Sequence, residues 1–224
     1  MEELIMLSHA VSKFTIGTEG NVSKKINDTF LIKSSGTSLG TLTQDEIILC
    51  DKDGTQLNNF NHKPSIETGF HSWALKFPSI NFVAHTHPTN TLKILCSQFI
   101  YEFANCRLFP DQVVFNWKRS CIVPYAHPGY ELMNAIKLSV DEFLSNETNI
   151  FPKLILLQNH GIICVGTSYK ECVIASEICE KSAEIFMGAI RTKRINYLSK
   201  SDIDKILDDK NEIYRARLLS ITSL

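Results

Sequence analysis

The sequence predicts an α/β domain in which central strands are covered by helices. Three observations carry that prediction. Ile80–Thr86 is a β-branched and aromatic run, and Lys153–Gly166 is the most apolar stretch of the chain, broken at Asn159-His160-Gly161. Apolar residues recur at helical spacing near 70–77, 91–105 and 130–144, and most strongly from Tyr169 to about Leu198. No internal repeat, low-complexity tract or linker separates these segments, so residues 1–224 are expected to form one domain, with C-terminal helices from about 169.

Taken in order, residues 2–13 set Leu4, Ile5, Leu7, Ala10 and Val11 among Glu and Lys, the pattern of an amphipathic helix. Gly17–Asn21 breaks it. Val22–Ile26 and Asp28–Lys33 are predicted as two short strands joined around Asn27-Asp28, and Ser34–Ser38 as a hydroxyl-rich turn. Thr43, with Glu46 three residues on, predicts a capping box on a brief helical turn before a strand at 48–51 and a turn at Asp53-Gly54. Residues 60–64 are polar and irregular. Phe70, Trp73, Ala74 and Phe77 then predict a short helix stopped by Pro78.

Thr91–Asn105 is predicted as one helix, with Leu92, Leu95, Phe99 and Phe103 on one side. Gln112–Trp117 and Ser120–Val123 are strand-like, Pro124–Gly129 is a loop, and 130–144 is helical. Ser201–Leu219 adds an amphipathic tail helix.

With 224 residues, 44% of them hydrophobic, the chain can bury a substantial core. A net charge of −1 and a pI near 6.6 leave no electrostatic footprint for nucleic acid, and no segment predicts a membrane surface or span. Small molecules or proteins are the expected partners. The 7 cysteines are scattered without a Cys-x-x-Cys pair, which suits neither a disulfide framework nor a thiolate metal site. They are expected to be small buried hydrophobes in a reducing compartment. The N-terminus starts acidic and lacks the pattern of a signal peptide, so a cytoplasmic protein is expected.

His85 and His87 are two apart at the end of a predicted strand, a spacing that aims both imidazoles at one face. His160 ends another apolar strand, and Gly161 beside it permits close backbone approach. Three imidazoles with open positions is the plan of a catalytic metal site. Glu67, ahead of the aromatic helix, is a candidate metal ligand, general base, or first-turn carboxylate favoured by the helix dipole. Asn21, Ser35 and Gly36 are either plain turn residues or an anion nest to which Lys33 adds charge. Tyr125 is either a packed aromatic or an acid positioned by its loop. His9, His62 and His71 are assigned to surface or packing roles.

Six short motifs then occur in a telling order: Gly-Asn-Val-Ser at 20–23, Lys-Ser-Ser-Gly at 33–36, Pro-Ser-Ile-Glu at 64–67, His-Thr-His-Pro at 85–88, Pro-Tyr-Ala at 124–126 and Gln-Asn-His-Gly at 158–161. In order and approximate spacing they resemble the class II aldolase/adducin family, and within it the fuculose- and rhamnulose-phosphate aldolases. The resemblance spans nearly the whole chain. It implies a three-layer α/β/α fold with a central, largely antiparallel sheet, and a homotetramer with active sites between subunits. It also implies a zinc ion, with cobalt, manganese or iron as substitutes, on His85, His87, His160 and Glu67. A substrate phosphate would be held by Asn21, Lys33, Ser35, Gly36 and Ser65, and Tyr125 would reach a neighbour's site. Ile66 stands where those aldolases usually have a second serine.

The implied reaction cleaves a ketose 1-phosphate to dihydroxyacetone phosphate and an aldehyde through a metal-stabilised enediolate, with Glu67 and Tyr125 as catalytic groups. The same resemblance admits a methylthioribulose-1-phosphate-type dehydratase, a ribulose-phosphate 4-epimerase, or an adducin-like interaction module without catalysis.

Overall fold

Every residue of Phe82–Thr86 is buried, which requires a sheet covered on both faces. The structure is a computed structural model and describes residues 1–146 and 150–219. Its strands are β1 (Asn21–Ile26), β2 (Thr29–Lys33), β3 (Ile47–Asp51), β4 (Phe82–Thr86), β5 (Cys121–Val123), β6 (Leu154–Leu157) and β7 (Gly161–Gly166). They form one 7-stranded sheet in the order β3-β2-β1-β4-β7-β6-β5. All neighbours pair antiparallel except β5 and β6. That parallel pair needs a crossover, which the helix α6 (Tyr130–Asn146) supplies.

Side-chain alternation splits the core in two. Val22, Phe82 and Ala84 face one cluster, shared with α1 (Glu2–Val11), α3 (Thr89–Leu95), α4 (Ile100–Asn105) and α7 (Tyr169–Ile190). Val83, Ile155 and Ile163 face the other, shared with α2 (Thr68–Ala74) and α6. The architecture is therefore α/β with one mixed, largely antiparallel sheet between helical layers. The Thr43–Glu46 capping box forms as its residues predict. Asn27 takes the turn between β1 and β2 at φ 51°.

Four expectations give way to tertiary contacts. Thr91–Asn105 is two helices, α3 and α4. Ser97 donates to Ile94 O at 2.8 Å and accepts from Phe99 N at 3.2 Å, while Asn159 N takes the carbonyl of Leu95 at 3.2 Å. Gln112–Trp117 is helical, as α5 (Pro110–Asn116), in spite of its β-branched run. Pro110 fits the first helical turn, and Val113 and Val114 are buried against other helices, where packing outweighs strand propensity. The helix from Tyr169 stops at Ile190, where Thr192 Oγ1 takes the carbonyls of Ala189 and Arg194 at 2.7 and 2.8 Å. The tail is α8 (Lys200–Asp208) and α9 (Lys210–Leu218), divided at Asp209, which accepts from Asn211 N at 2.7 Å as an N-cap.

Arg107 is buried between the C-terminal ends of α4 and α5. Its guanidinium donates to the carbonyls of Ala104 (3.1 Å), Cys106 (2.9 Å), Asn116 (3.3 Å) and Trp117 (2.6 Å). Arg107→Ala orphans these carbonyls and is expected to cost roughly 3 kcal/mol or more, measured as a lowered urea midpoint.

Candidate metal centre

The site sits where three adjacent strands end. Asn21 opens β1 opposite His85 of β4, and Ile163 of β7 lies opposite His85 on the other side. His87 follows just past β4, its N–H donating to Phe14 O at 3.2 Å. His160 comes from the tight turn between β6 and β7, which Asn159 closes at φ 55°. The ring centroids lie 4.8 Å (His85–His87), 4.9 Å (His85–His160) and 5.2 Å (His87–His160) apart. One nitrogen from each lies within 4.8 Å of the others. Gly161 allows this crowding, since a Cβ there would meet His87 Cδ2 and Thr86 O at 2.5 Å.

Glu67 occupies the N-cap position of α2, yet its carboxylate makes no capping bond. It turns to the histidines instead, with Oε2 3.3 Å from His85 Nε2 and Oε1 3.4 Å from His160 Nε2. Asn21 Nδ2 donates to Oε2 at 2.7 Å, and Oε1 is buried without a hydrogen-bond partner. His85 Nδ1 donates to Ile162 O at 2.9 Å, so its Nε2 presents a lone pair to His87 Nε2, 3.1 Å away. Burial, above all, pushes the pKa of each of these histidines down to about 4. Neutral imidazoles and an orphaned carboxylate oxygen converging on one point are a donor set that fits a divalent cation.

A cavity of about 240 Å³ opens on this point. Asn21, Lys33, Ser35, Gly36, Ser65 and Ile66 line it together with Glu67 and the three histidines. Ser65 Oγ accepts from Asn21 Nδ2 (3.1 Å) and Glu67 N (3.2 Å), which leaves its hydroxyl proton for another acceptor. Lys33 is committed differently. Its ammonium donates to Thr37 O at 2.6 Å and Ser34 O at 3.3 Å, and burial lowers its pKa to about 8 against the opposing charge of Glu46. Tyr125 is 60% exposed and is not among the residues that line this cavity.

Several neighbours of the site were not singled out from the sequence. Glu19 Oε2 lies 3.6 Å from His87 Nδ1, and Thr18, Gly20 and Pro128 complete the cavity wall. His71, assigned above to the surface or to packing, is wholly buried and hydrogen-bonded to Ser23 and Asn21. Its spacing of four from Glu67 was the available signal, because residues four apart share a helix face.

Residues 4–187 match the Class II Aldolase and Adducin N-terminal domain family. The chain belongs to this family. Among curated relatives, it is 27% identical over 192 residues to the 3-oxo-tetronate 4-phosphate decarboxylase of Haemophilus influenzae, covering 85% of this chain and 86% of that one. It is 28% identical over 183 residues to the L-fuculose phosphate aldolase of Methanocaldococcus jannaschii, covering 81% and 91%. With the methylthioribulose-1-phosphate dehydratase of Persephonella marina it shares 38% over 161 residues, covering 66% and 70%. Among solved structures, YgbL of Escherichia coli superposes with a TM-score of 0.76 at 25% identity, covering 92% of this chain and 96% of that one. No helix among the described residues of this class II aldolase-family chain is long and apolar enough to cross a membrane.

Two outcomes follow for this family member. The site histidines titrate near 4 in the fold against an ordinary 6.5, so the unfolded chain binds more protons between those values. The share of the chelator-treated protein's stability that these histidines govern is therefore full above pH 6.5 and is lost as the pH falls toward 4, which urea midpoints at stepped pH will register. Gly161→Ala drives a methyl group into His87 and is expected to lower metal affinity at least about tenfold, read by chelator competition.

Proposed function

We propose that this protein is a metal-dependent class II aldolase that cleaves a ketose 1-phosphate to dihydroxyacetone phosphate and an aldehyde. The convergence of His85, His87, His160 and Glu67 on one buried point carries this reading. Ser35, Gly36 and Ser65 line the same cavity, so a cation end and a phosphate-accepting end lie within reach of one small substrate. The relatives' names support that substrate class, because fuculose phosphate, methylthioribulose 1-phosphate and 3-oxo-tetronate 4-phosphate are all phosphorylated carbonyl compounds.

In this reading His85, His87 and His160 hold the cation and Glu67 is the fourth donor. Zinc suits the set, and cobalt, manganese and iron suit it too. When bound, the cation supplies a Lewis acid for the electron pair left behind as the carbon–carbon bond breaks. The chain's own groups move the protons. Tyr125, exposed and outside its own cavity, reaches the site of a neighbouring subunit and takes the proton of the hydroxyl that becomes the aldehyde. Glu67, displaced from the cation by substrate and protonated, delivers that proton to the carbon that held the broken bond, completing dihydroxyacetone phosphate, and proton exchange with solvent returns Glu67 and Tyr125 to their starting states. Ser65, Ser35 and Gly36 hold the phosphate, with Asn21 shaping and Lys33 charging that end. A tyrosine supplied between subunits calls for an oligomer, and a homotetramer is the arrangement proposed. Seven free thiols suit a reducing cytoplasm.

The second reading is a dehydratase acting on a methylthioribulose-1-phosphate-like substrate, favoured by the 38% identity to such an enzyme. Products separate the two. An aldolase yields two carbon fragments, whereas a dehydratase keeps the carbon chain and releases water.

Elemental analysis of protein purified without chelator should find about one transition metal per chain, lost in the His85→Ala/His87→Ala variant. Glu67→Gln should still bind the metal through the three histidines, though more weakly, while turnover of the metal-saturated variant on a phosphorylated ketose drops by about 10²–10⁴-fold. A protein that takes up no metal, or a Glu67→Gln variant with full turnover, overturns the assignment.

A further inference from the structure

Behind Glu67 lies a single file of buried polar side chains. Ser23 Oγ is 2.6 Å from His71 Nδ1, His71 Nε2 bonds Asn21 Oδ1, and Asn21 Nδ2 reaches Glu67 Oε2 at 2.7 Å. Ser23 and His71 have no exposed surface, and Asn21 is 4% exposed. The register of the sheet explains the line-up, because Asn21 and Ser23 are two apart on β1 and so share a face.

The direction of each hydrogen bond follows from the carboxylate end. A carboxylate accepts, so Asn21 turns its amide nitrogen toward Glu67 and Ser65 and its oxygen toward His71. That oxygen also accepts, so His71 carries its proton on Nε2, and Nδ1 is left to accept from the Ser23 hydroxyl. An asparagine amide has nearly the same shape either way round, and its partners decide which way it points. Without a donor at His71, Asn21 can turn its oxygen to Glu67, setting two acceptors face to face. Glu67 is exposed to that change because Asn21 supplies the hydrogen bond to its Oε2, whereas His85 is tethered by the Ile162 carbonyl.

We propose that His71 is a positioning residue for the metal centre: as an Nε2–H donor it locks the Asn21 amide, which holds Glu67 Oε2 and leaves Oε1 turned to His160 and the cation. The proposal rests on Glu67 being the fourth metal donor. Phe70 stacks on the His71 ring at a centroid distance of 4.3 Å, and a role in packing alone would survive an apolar replacement of similar size. A role as donor would not.

Zinc affinity, measured by competition with a chromophoric chelator, tests this without reference to turnover. His71→Leu should weaken zinc binding about 10–100-fold, the range seen when a supporting partner of a metal ligand is removed. His71→Gln, whose amide can donate to Asn21, should recover most of the loss. On a Glu67→Gln background, His71→Leu should change zinc affinity by less than about twofold, because the residue acts through Glu67. Nitrogen-15 NMR of the unaltered protein should find His71 neutral and protonated on Nε2, a readout that stands even where His71→Leu fails to fold. An Nδ1-protonated ring, unchanged affinity in His71→Leu, or an equal loss on both backgrounds overturns the proposal. A protein that binds no zinc overturns it together with the metal reading. Zinc binding that depends on His71, with no cleavage of any phosphorylated ketose, overturns the aldolase assignment and leaves the role of His71 standing.

Discussion

Polar atoms gathered without partners in a buried place, Glu67 Oε1 and His160 Nδ1 among them, are the constraint on which the rest of this structure depends. His85, His87 and His160 meet as neutral rings, and Glu67 brings a carboxylate oxygen without a hydrogen-bond partner to the same point. Such a cluster is unfavourable by itself, since burial penalises unpartnered polar groups. It persists because rigid elements hold each member. His85 lies within β4, Asn21 within β1, and His160 in a turn pinned between two fully buried strands. In the function proposed above, a divalent cation is the species that turns this arrangement into a favourable one.

The helical layers serve the same end. α2 carries Glu67 at its start and His71 within its body, so one short helix delivers both a carboxylate and the side chain that organises its partner. Glu180 of α7 accepts from the backbone N–H groups of Asn90 and Thr91 at 2.9 Å, fixing the start of α3 directly after the His-Thr-His-Pro motif. One helix thus supports Glu67, and another fixes the chain just after the histidine pair.

Opposite the histidines, the cavity wall is hydroxyl and backbone from the turn after β2 and from Ser65. Lys33 ties that turn to itself through the carbonyls of Ser34 and Thr37. Lys33 thus lines the cavity with its ammonium already bonded to the turn's carbonyls. Ile66, 72% exposed, gives this mouth an apolar lip.

Much of this was legible in the chain because it is local. The two-residue spacing at the end of β4 brings His87 beside His85, the Thr43–Glu46 spacing makes its capping box, and the apolar run from Lys153 to Gly166 forms buried strands around a break at His160. Six motifs in register were enough to suggest the family to which residues 4–187 belong. What the sequence could not decide depends on contacts between distant segments. Gln112–Trp117 has strand-forming residues, yet burial against α7 and α8 makes it helical. Thr91–Asn105 has one helical periodicity, yet Asn159 takes a carbonyl in its middle and ends α3 there. His71 is one polar residue on an aromatic helix, and only the register that sets β1 beside β4 puts Asn21 and Ser23 against its two nitrogens. Periodicity and spacing are properties of a segment, whereas the partner of a buried polar atom is fixed only when the sheet has closed around it.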